Sequence, residues 1–395
     1  MTGSPQVVLV GAGMTAFTRA GRSVRGLAEE AVAAALADAG ARPDQIQFVA
    51  FANAVGGLIT GQEMVRAQAA LRRTGLLGAT IVSVEAACAS GAAALHTALA
   101  AVRSGAADVA LAVGAERLTC ADKSVTFAAI GTAMDLAEDG GLAGTAAAQG
   151  RSGFVDVYAA LAADYLGRTG ATPADLAAVV VKNRRHAAAN PDAQLRDPIS
   201  AEQVLAARMV REPLTVPMCA PIGDGAAAVV VASEAAASRL GLGRLAVLRS
   251  CVLLSGRGDE PGPRVVERAA ALAFAEAAAD PGDVDVAEVH DGAAPGELIS
   301  IEQLGLTAPG GALGWLRDGT SSLGGRCPVN PSGGLLCRGH PIGATGAAQV
   351  VELARQLAGR AGARQVAGAR LAVAESAGGW IGTDSAAAAV TVLSR

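Results

Sequence analysis

Short runs of β-branched residues alternate with alanine-rich stretches along almost the whole chain. That alternation confines the chain to an α/β fold in which helices are layered on a sheet. Strands are predicted at 6–10, 48–52, 81–84 and 108–113, with helices at 25–39 and 91–103. Asp224-Gly225 then leads through Ala226-Ala227-Ala228 into Val229-Val230-Val231 and back to the sheet. The later half repeats the rhythm: strand 245–254, helix 265–279, strand 286–289, helix 345–357 and strand 371–375. Two comparable halves, each placing a turn rich in chemistry after a strand, predict a duplicated α/β unit. Between them, at about 118–215, lie Gly140-Gly141, Gly150-Arg151-Ser152-Gly153 and Asn190-Pro191, which predict loops and short elements laid over the scaffold. Hydrophobic residues make up 51% of the 395 positions, but much of this is alanine and aromatics are only 3%. Such side chains imply close helix–helix and helix–sheet contact rather than a core of large rings.

Charge and cysteine usage narrow the function classes. With 32 basic and 36 acidic residues the net charge is −4, and no long single-sign block invites nucleic acid. No apolar stretch approaches the roughly 20 residues of a membrane span. The first residues run into a strand without a basic region or apolar signal core, which predicts a cytoplasmic protein. Six cysteines (88, 120, 219, 251, 327 and 337) are scattered without a C-x-x-C pair, so neither a disulfide framework nor a metal site is expected.

Cys88 stands in Glu85-Ala86-Ala87-Cys88-Ala89-Ser90-Gly91, where a strand turns into a helix. A thiol at a helix N-terminus meets free N–H groups and the positive end of the dipole, both of which favour the thiolate. Far along the chain, Gly339-His340-Pro341-Ile342-Gly343-Ala344-Thr345-Gly346 offers an imidazole on a glycine-rich entry to another helix. Thiol and imidazole together point to an activated sulfur nucleophile for acyl transfer, with His340 as base. His290 closes a strand ahead of Asp291-Gly292 and is a candidate hydrogen-bond donor, with Asp291 buttressing its turn. Gly378 and Gly379, after Ser376-Ala377 at the end of what reads as the last strand, let backbone N–H groups approach a ligand closely. Trp380 follows as a candidate wall of an acyl pocket, whereas His96 and Cys337 read as packing residues.

These motifs, with Asn330-Pro331-Ser332-Gly333-Gly334 and the opening Val8-Leu9-Val10-Gly11-Ala12-Gly13-Met14, resemble the thiolase superfamily. His290-Asp291, and Asn183, His186 and Asn190-Pro191-Asp192-Ala193-Gln194, are similar to the sterol-carrier-protein-x and archaeal acetyl-CoA acetyltransferase type. The resemblance implies a five-layered α-β-α-β-α arrangement. A first half would occupy 1–117 and 216–244, an insertion over the active site 118–215, and a second half 245–395. It implies acyl transfer through Cys88, His290 and His340, with Gly378, Gly379 and Ser376 supporting an oxyanion loop. His186, Asn190 and Trp380 become substrate-channel candidates. The substrate would be a coenzyme A thioester, with no permanently bound cofactor. Partners by the same resemblance are a second copy, as a homodimer or dimer of dimers, and a small zinc-ribbon/OB-fold protein. One departure matters: many thiolases carry a second cysteine in a Cys-x-Gly motif, and the sterol-carrier-protein-x type takes it instead from His-Asp-Cys-Phe. Here those positions hold Ser376 and Gly292. Acylation of Cys88 stays plausible, but the usual carbon–carbon chemistry lacks its thiol. A retro-aldolase acting on a sterol or aromatic acyl-CoA, and a non-catalytic acyl-CoA or lipid-binding subunit, are the alternatives.

Overall fold

The computed structural model describes residues 5–138, 144–146 and 148–395, so the expected loop glycines Gly140-Gly141 lie outside the described residues. Nine strands form the main sheet: β1 (Val7–Met14), β2 (Phe48–Ala52), β3 (Thr80–Val84), β4 (Val109–Glu116), β5 (Gly225–Ser233), β6 (Ala246–Ser255), β7 (Val286–Glu288), β8 (Leu371–Gly378) and β9 (Ala387–Ser394). Their order is β3-β2-β4-β5-β1-β6-β9-β8-β7. In the first half β2 runs parallel to β4, which pairs antiparallel with β5, and β5 antiparallel with β1. In the second half β7 runs parallel to β8, β8 antiparallel to β9, and β9 antiparallel to β6. The same pairing pattern therefore occurs twice. Among the described residues, the two half-sheets join only where Val8 meets Val247 and Leu9 meets Ala246.

Strand alternation sorts side chains into separate layers. Val8 and Val10 of β1 face helix α1 (Val24–Ala39), packing with Leu27, Ala31 and Ala35. Ser23 caps the start of α1 by accepting from Gly26 N–H, and Gly40 ends it in the left-handed region at φ 66°. Val7 and Leu9 face the other way. There they join helices α2 (Ser90–Arg103) and α8 (Thr345–Leu357) through Leu95, Leu99, Val350 and Leu353. Leu248 of β6 and Ala372 of β8 close this central layer from the far side. Beyond the second half-sheet, α5 (Val265–Ala277) and α6 (Ala294–Gln303) pack on Val373, Val390 and Val392. Helix, sheet, helices, sheet, helices makes five layers. The central layer carries both chemical turns, because α2 follows Cys88 and α8 follows His340.

Two expectations need correction. The segment 118–215 holds more than loops and short elements: α3 (Phe154–Thr169) and α4 (Pro173–Ala188) are sixteen-residue helices. Thr172 and Asp175 form a capping box at the start of α4, and Tyr165, Leu176 and Val180 enter the core of the second half. The strand carrying Ser376 and Gly378 is also not the last one. It runs on to Gly378 and is followed by β9, which separates it from β6 in the sheet. A short helix α7 (Gly334–Arg338) precedes the His340 turn. Among the described residues all six cysteines are free, and no helix is long and apolar enough to cross a membrane.

Candidate active site

The turn after β3 is held by hydrogen bonds rather than by glycine. Ala87 sits at φ 47°, a left-handed conformation that costs an alanine about 1–2 kcal/mol. Three contacts hold it there. Glu85 accepts from Ala87 N–H (2.5 Å), Ser90 Oγ accepts from Ala86 N–H (2.9 Å), and Ser90 Oγ donates to the Ala87 carbonyl (2.6 Å). Ser376 Oγ donates to the Cys88 carbonyl at 3.1 Å. Its hydroxyl is thus engaged in fixing the nucleophile turn. Gly378 lets β8 approach so closely that a Cβ there would lie 2.8 Å from Cys88 N. The next N–H, that of Gly379, points at the Cys88 sulfur.

His340 is aimed by its neighbours. Gly339 turns the chain at φ 109° and ψ 165°, a conformation essentially reserved for glycine. Glu116, buried at the end of β4, accepts from Gly343 N–H (3.1 Å), Ala54 N–H (2.8 Å) and Asn53 Nδ2 (2.8 Å), pinning the loop. Thr345 Oγ1 donates to the Pro341 carbonyl (3.1 Å), so it can only accept from His340 Nδ1–H at 2.8 Å. That fixes the tautomer. Nε2 then carries the lone pair, and it faces the Cys88 sulfur at 3.3 Å. Burial, with His290 and Arg338 nearby, holds the imidazole well below its ordinary pKa, so it rests neutral.

His290 meets His340 edge to face, with ring centroids 5.1 Å apart. Its backbone N–H donates to Glu375 Oε2 (2.8 Å), and Val289 N–H donates to Asn330 Oδ1 (2.9 Å). Asp291 faces away from the reaction centre. It accepts from Leu335 N–H (2.6 Å) and Asn183 Nδ2 (2.9 Å), while Asn183 also donates to Glu297, itself paired with Lys182 at 3.0 Å. This buried network sets the height of the His290 turn. Burial alone pushes His290 down to about 4, again neutral.

The donor atoms of Cys88, His290 and His340 all lie within 4.8 Å of one another. They open on a cavity of about 600 Å³ whose wall is largely apolar: Phe127, Ile130, Phe154, Val155, Leu161 and Trp380. Arg19, Lys123 and Arg208 also line it. The sulfur departs from expectation in its acidity. Gly379 and Cys88 N–H groups do favour the thiolate, but burial outweighs them and Glu116 and Glu85 add repulsion, lifting the thiol to about 12. Cysteine and histidine are also zinc-ligand types.

Two substrate-channel candidates stand apart. His186 is buried with both nitrogens engaged, Nδ1 on the Asn330 carbonyl (3.0 Å) and Nε2 accepting from Leu323 N–H (3.0 Å). Asn190 donates to the Ser332 carbonyl at 2.9 Å. Neither lines the cavity, whereas Trp380 does. Cys337 is buried away from it, while Cys120 and Cys219 reach it. Sequence reading missed Glu116, Glu375 and Tyr158, which come near the turns only through tertiary contacts.

Residues 7–235 match the family model described as the thiolase N-terminal domain, and residues 255–395 the thiolase C-terminal domain-like model. The chain belongs to the thiolase family of acyltransferase enzymes. It is 37% identical over 370 residues to the benzoylsuccinyl-CoA thiolase subunit BbsB of Thauera aromatica, covering 89% of each chain. To the acetyl-CoA acetyltransferase of Methanothermobacter thermautotrophicus it is 36% identical over 378 residues, covering 94% of this chain and 95% of the other. Among solved structures, the Ltp2-ChsH2(DUF35) aldolase superposes with a TM-score of 0.82 at 25% identity, covering 99% of this chain and 98% of that one.

Proposed function

We propose that the protein is a thiolase-type acyl-CoA C-acyltransferase working through an acyl-Cys88 intermediate, either cleaving or forming a 3-oxoacyl-CoA. The observation that carries this reading is the 3.3 Å contact between His340 Nε2 and the Cys88 sulfur, with the acceptor nitrogen facing the thiol. The thiol gives its proton to His340 as sulfur attacks the carbonyl, so no free thiolate need accumulate. The Cys88 and Gly379 N–H groups receive the resulting oxyanion, and neutral His290 donates to the oxygen of the thioester whose α-carbon leaves or attacks. The wide apolar cavity suits a bulky acyl group better than acetyl alone. Likeness to the benzoylsuccinyl-CoA thiolase subunit agrees with that choice. Coenzyme A arrives as substrate thioester, and the site needs no resident cofactor.

A retro-aldolase is the second reading, favoured by the likeness to the Ltp2-ChsH2(DUF35) aldolase and by Gly292 and Ser376 where a thiol is expected. The intact Cys88–His340 pair counts against it and against a non-catalytic lipid-binding subunit. A cytoplasmic homodimer or dimer of dimers, with a small zinc-ribbon/OB-fold companion, completes the proposal. That neighbour's two-component name is in keeping with the companion. Intact-protein mass after mixing with a panel of acyl-CoAs tests the reading. Wild type should gain one acyl group and Cys88→Ala none. Labelling that persists in Cys88→Ala, or a wild type that no acyl-CoA labels, overturns it.

A further inference from the structure

Carbon–carbon bond cleavage next to a thioester leaves an enolate whose α-carbon must take a proton. Most groups near Cys88 are already committed. His340 Nε2 serves the sulfur, Ser376 Oγ holds the Cys88 carbonyl, and Glu375 accepts the His290 N–H through Oε2, its buried Oε1 having no hydrogen-bond partner among the described residues. Tyr158 is different. It lies on the face of α3 that lines the cavity, together with Phe154, Val155 and Leu161. Its ring lies in a slot made by two glycines of the opposite wall. A Cβ on Gly292 would sit 2.6 Å from Tyr158 Oη and 3.1 Å from Cζ, and one on Gly296 would be 3.4 Å from Cε1. Neither glycine has a positive φ, so the backbone does not demand glycine at either position. Room for the phenol does at Gly292, whereas at Gly296 the nearer obstacle to a Cβ is the His290 carbonyl, at 2.9 Å. The hydroxyl is thereby delivered over Gly292, two residues from His290 and inside the same cavity as Cys88.

On the reading proposed above, we infer that Tyr158 is the catalytic acid/base for the α-carbon, its phenol standing where Gly292 leaves no side chain. Burial, with Cys88, Glu375, Asp291 and Cys219 nearby, keeps the phenol protonated well above its ordinary range, which suits a donor. In cleavage, the Cys88 sulfur bonds to the 3-oxo carbon as His340 takes its proton. The C2–C3 bond then breaks, its electron pair goes to C2, and C2 takes the Tyr158 proton. The phenolate recovers a proton from the His340 imidazolium. Neutral His340 next accepts the proton of the incoming coenzyme A thiol as that sulfur attacks acyl-Cys88, and returns it to the departing Cys88 sulfur. All three groups end as they began.

Transfer of the α-protons of acetyl-CoA to deuterated water isolates this step, because acylation of Cys88 by acetyl-CoA does not require it. Tyr158→Phe should still acquire an acetyl group on Cys88, yet lose about 10²–10⁴-fold in α-exchange and in acetoacetyl-CoA thiolysis. Tyr158→Ala should be equally poor. Adding Gly292→Cys to it, now that the slot is empty, should recover exchange through a thiol. Tyr158→Phe keeps the ring and its packing, so a loss of exchange in that variant would not follow from a packing role. Exchange at the wild-type rate in Tyr158→Phe overturns the inference. So does loss of exchange in Cys219→Ala instead, or a wild type that acetylates without exchanging. Absence of any Cys88 adduct in wild type sinks the acyltransferase reading itself and this inference with it.

Discussion

Replacing Gly346 by alanine tests what sets the distance between sulfur and imidazole. Helices α2 and α8 touch backbone to backbone. A Cβ on Gly346 would lie 2.5 Å from Ala92 N and 2.9 Å from Ala92 Cβ, and one on Gly91 2.7 Å from Ala347 N. Ordinary contact begins near 3.4 Å, so Gly346→Ala must drive the helices apart by about 0.9 Å, because a backbone nitrogen cannot rotate away. Alanine gains about 1 kcal/mol of helix propensity over glycine, but overpacking costs about 1–3 kcal/mol, so the net effect is destabilising. Catalysis should suffer more. Displacement along the 3.3 Å contact between His340 Nε2 and Cys88 carries it to about 4 Å, past useful hydrogen bonding, and a shift of that size costs on the order of a hundredfold in rate. Time-resolved intact mass with acetyl-CoA, beside urea denaturation, reads both quantities. Gly167→Ala is the control. That glycine is exposed in α3 with nothing within 4 Å of where a Cβ would lie, so the variant should gain stability and acylate as wild type does. A Gly346→Ala protein with wild-type midpoint and acylation rate would refute the account of what positions the pair.

The histidines should separate by assay. His340→Ala slows Cys88 acylation by about 10²–10⁴-fold and also slows alkylation by iodoacetamide, whereas His290→Ala spares alkylation and impairs only thioester chemistry. Equal loss of alkylation in both would show the division of roles to be wrong. Glu375→Gln addresses pH. Burial lifts this carboxyl to about 7 from 4.5, so the folded chain binds its proton more tightly than the unfolded one. The stability it contributes is complete below about pH 4 and lost as pH rises through 7, a loss of roughly 3 kcal/mol. Glutamine removes that loss, so the variant's urea midpoint should fall less between pH 5 and 8 than wild type's. Parallel curves would remove Glu375 from the pH dependence.

How legible was all this in the sequence? Strands with β-branched runs and clear punctuation were plain, as in 48–52, which matches β2 residue for residue. The final strand was not, because Ser385-Ala386-Ala387-Ala388-Ala389 has no period that distinguishes strand from helix. Glycine and proline misled in the insertion. Gly153 and Pro191 flank α3 and α4 rather than interrupt them, and the Thr172-Pro173 start with Asp175 was a readable helix signal. Cys88 and His340 stood out because each rides a tight turn into a helix. His186 and Asn190 carry the same polar chemistry, but their partners are the carbonyls of Asn330 and Ser332, far along the chain. Glu116 and Tyr158 gave no local sign at all. One acts on a loop 227 positions away, and the other is defined by what two glycines on α6 and its entry turn leave open.

The high resting pKa of Cys88 has a bearing on the protein's chemical lifetime. An unfolded cysteine titrates near 8.5, so lifting the native thiol to about 12 leaves roughly three powers of ten less thiolate at any pH. Peroxide oxidation and disulfide exchange both run through the thiolate. The folded site therefore holds its sulfur as the thiol at rest, and its reactivity is released through His340, which takes the proton as the sulfur attacks. Exposure to oxidants is greatest in a chain that is newly made or unfolding, where Cys88 has lost its burial and its imidazole lies 252 residues further along the polypeptide.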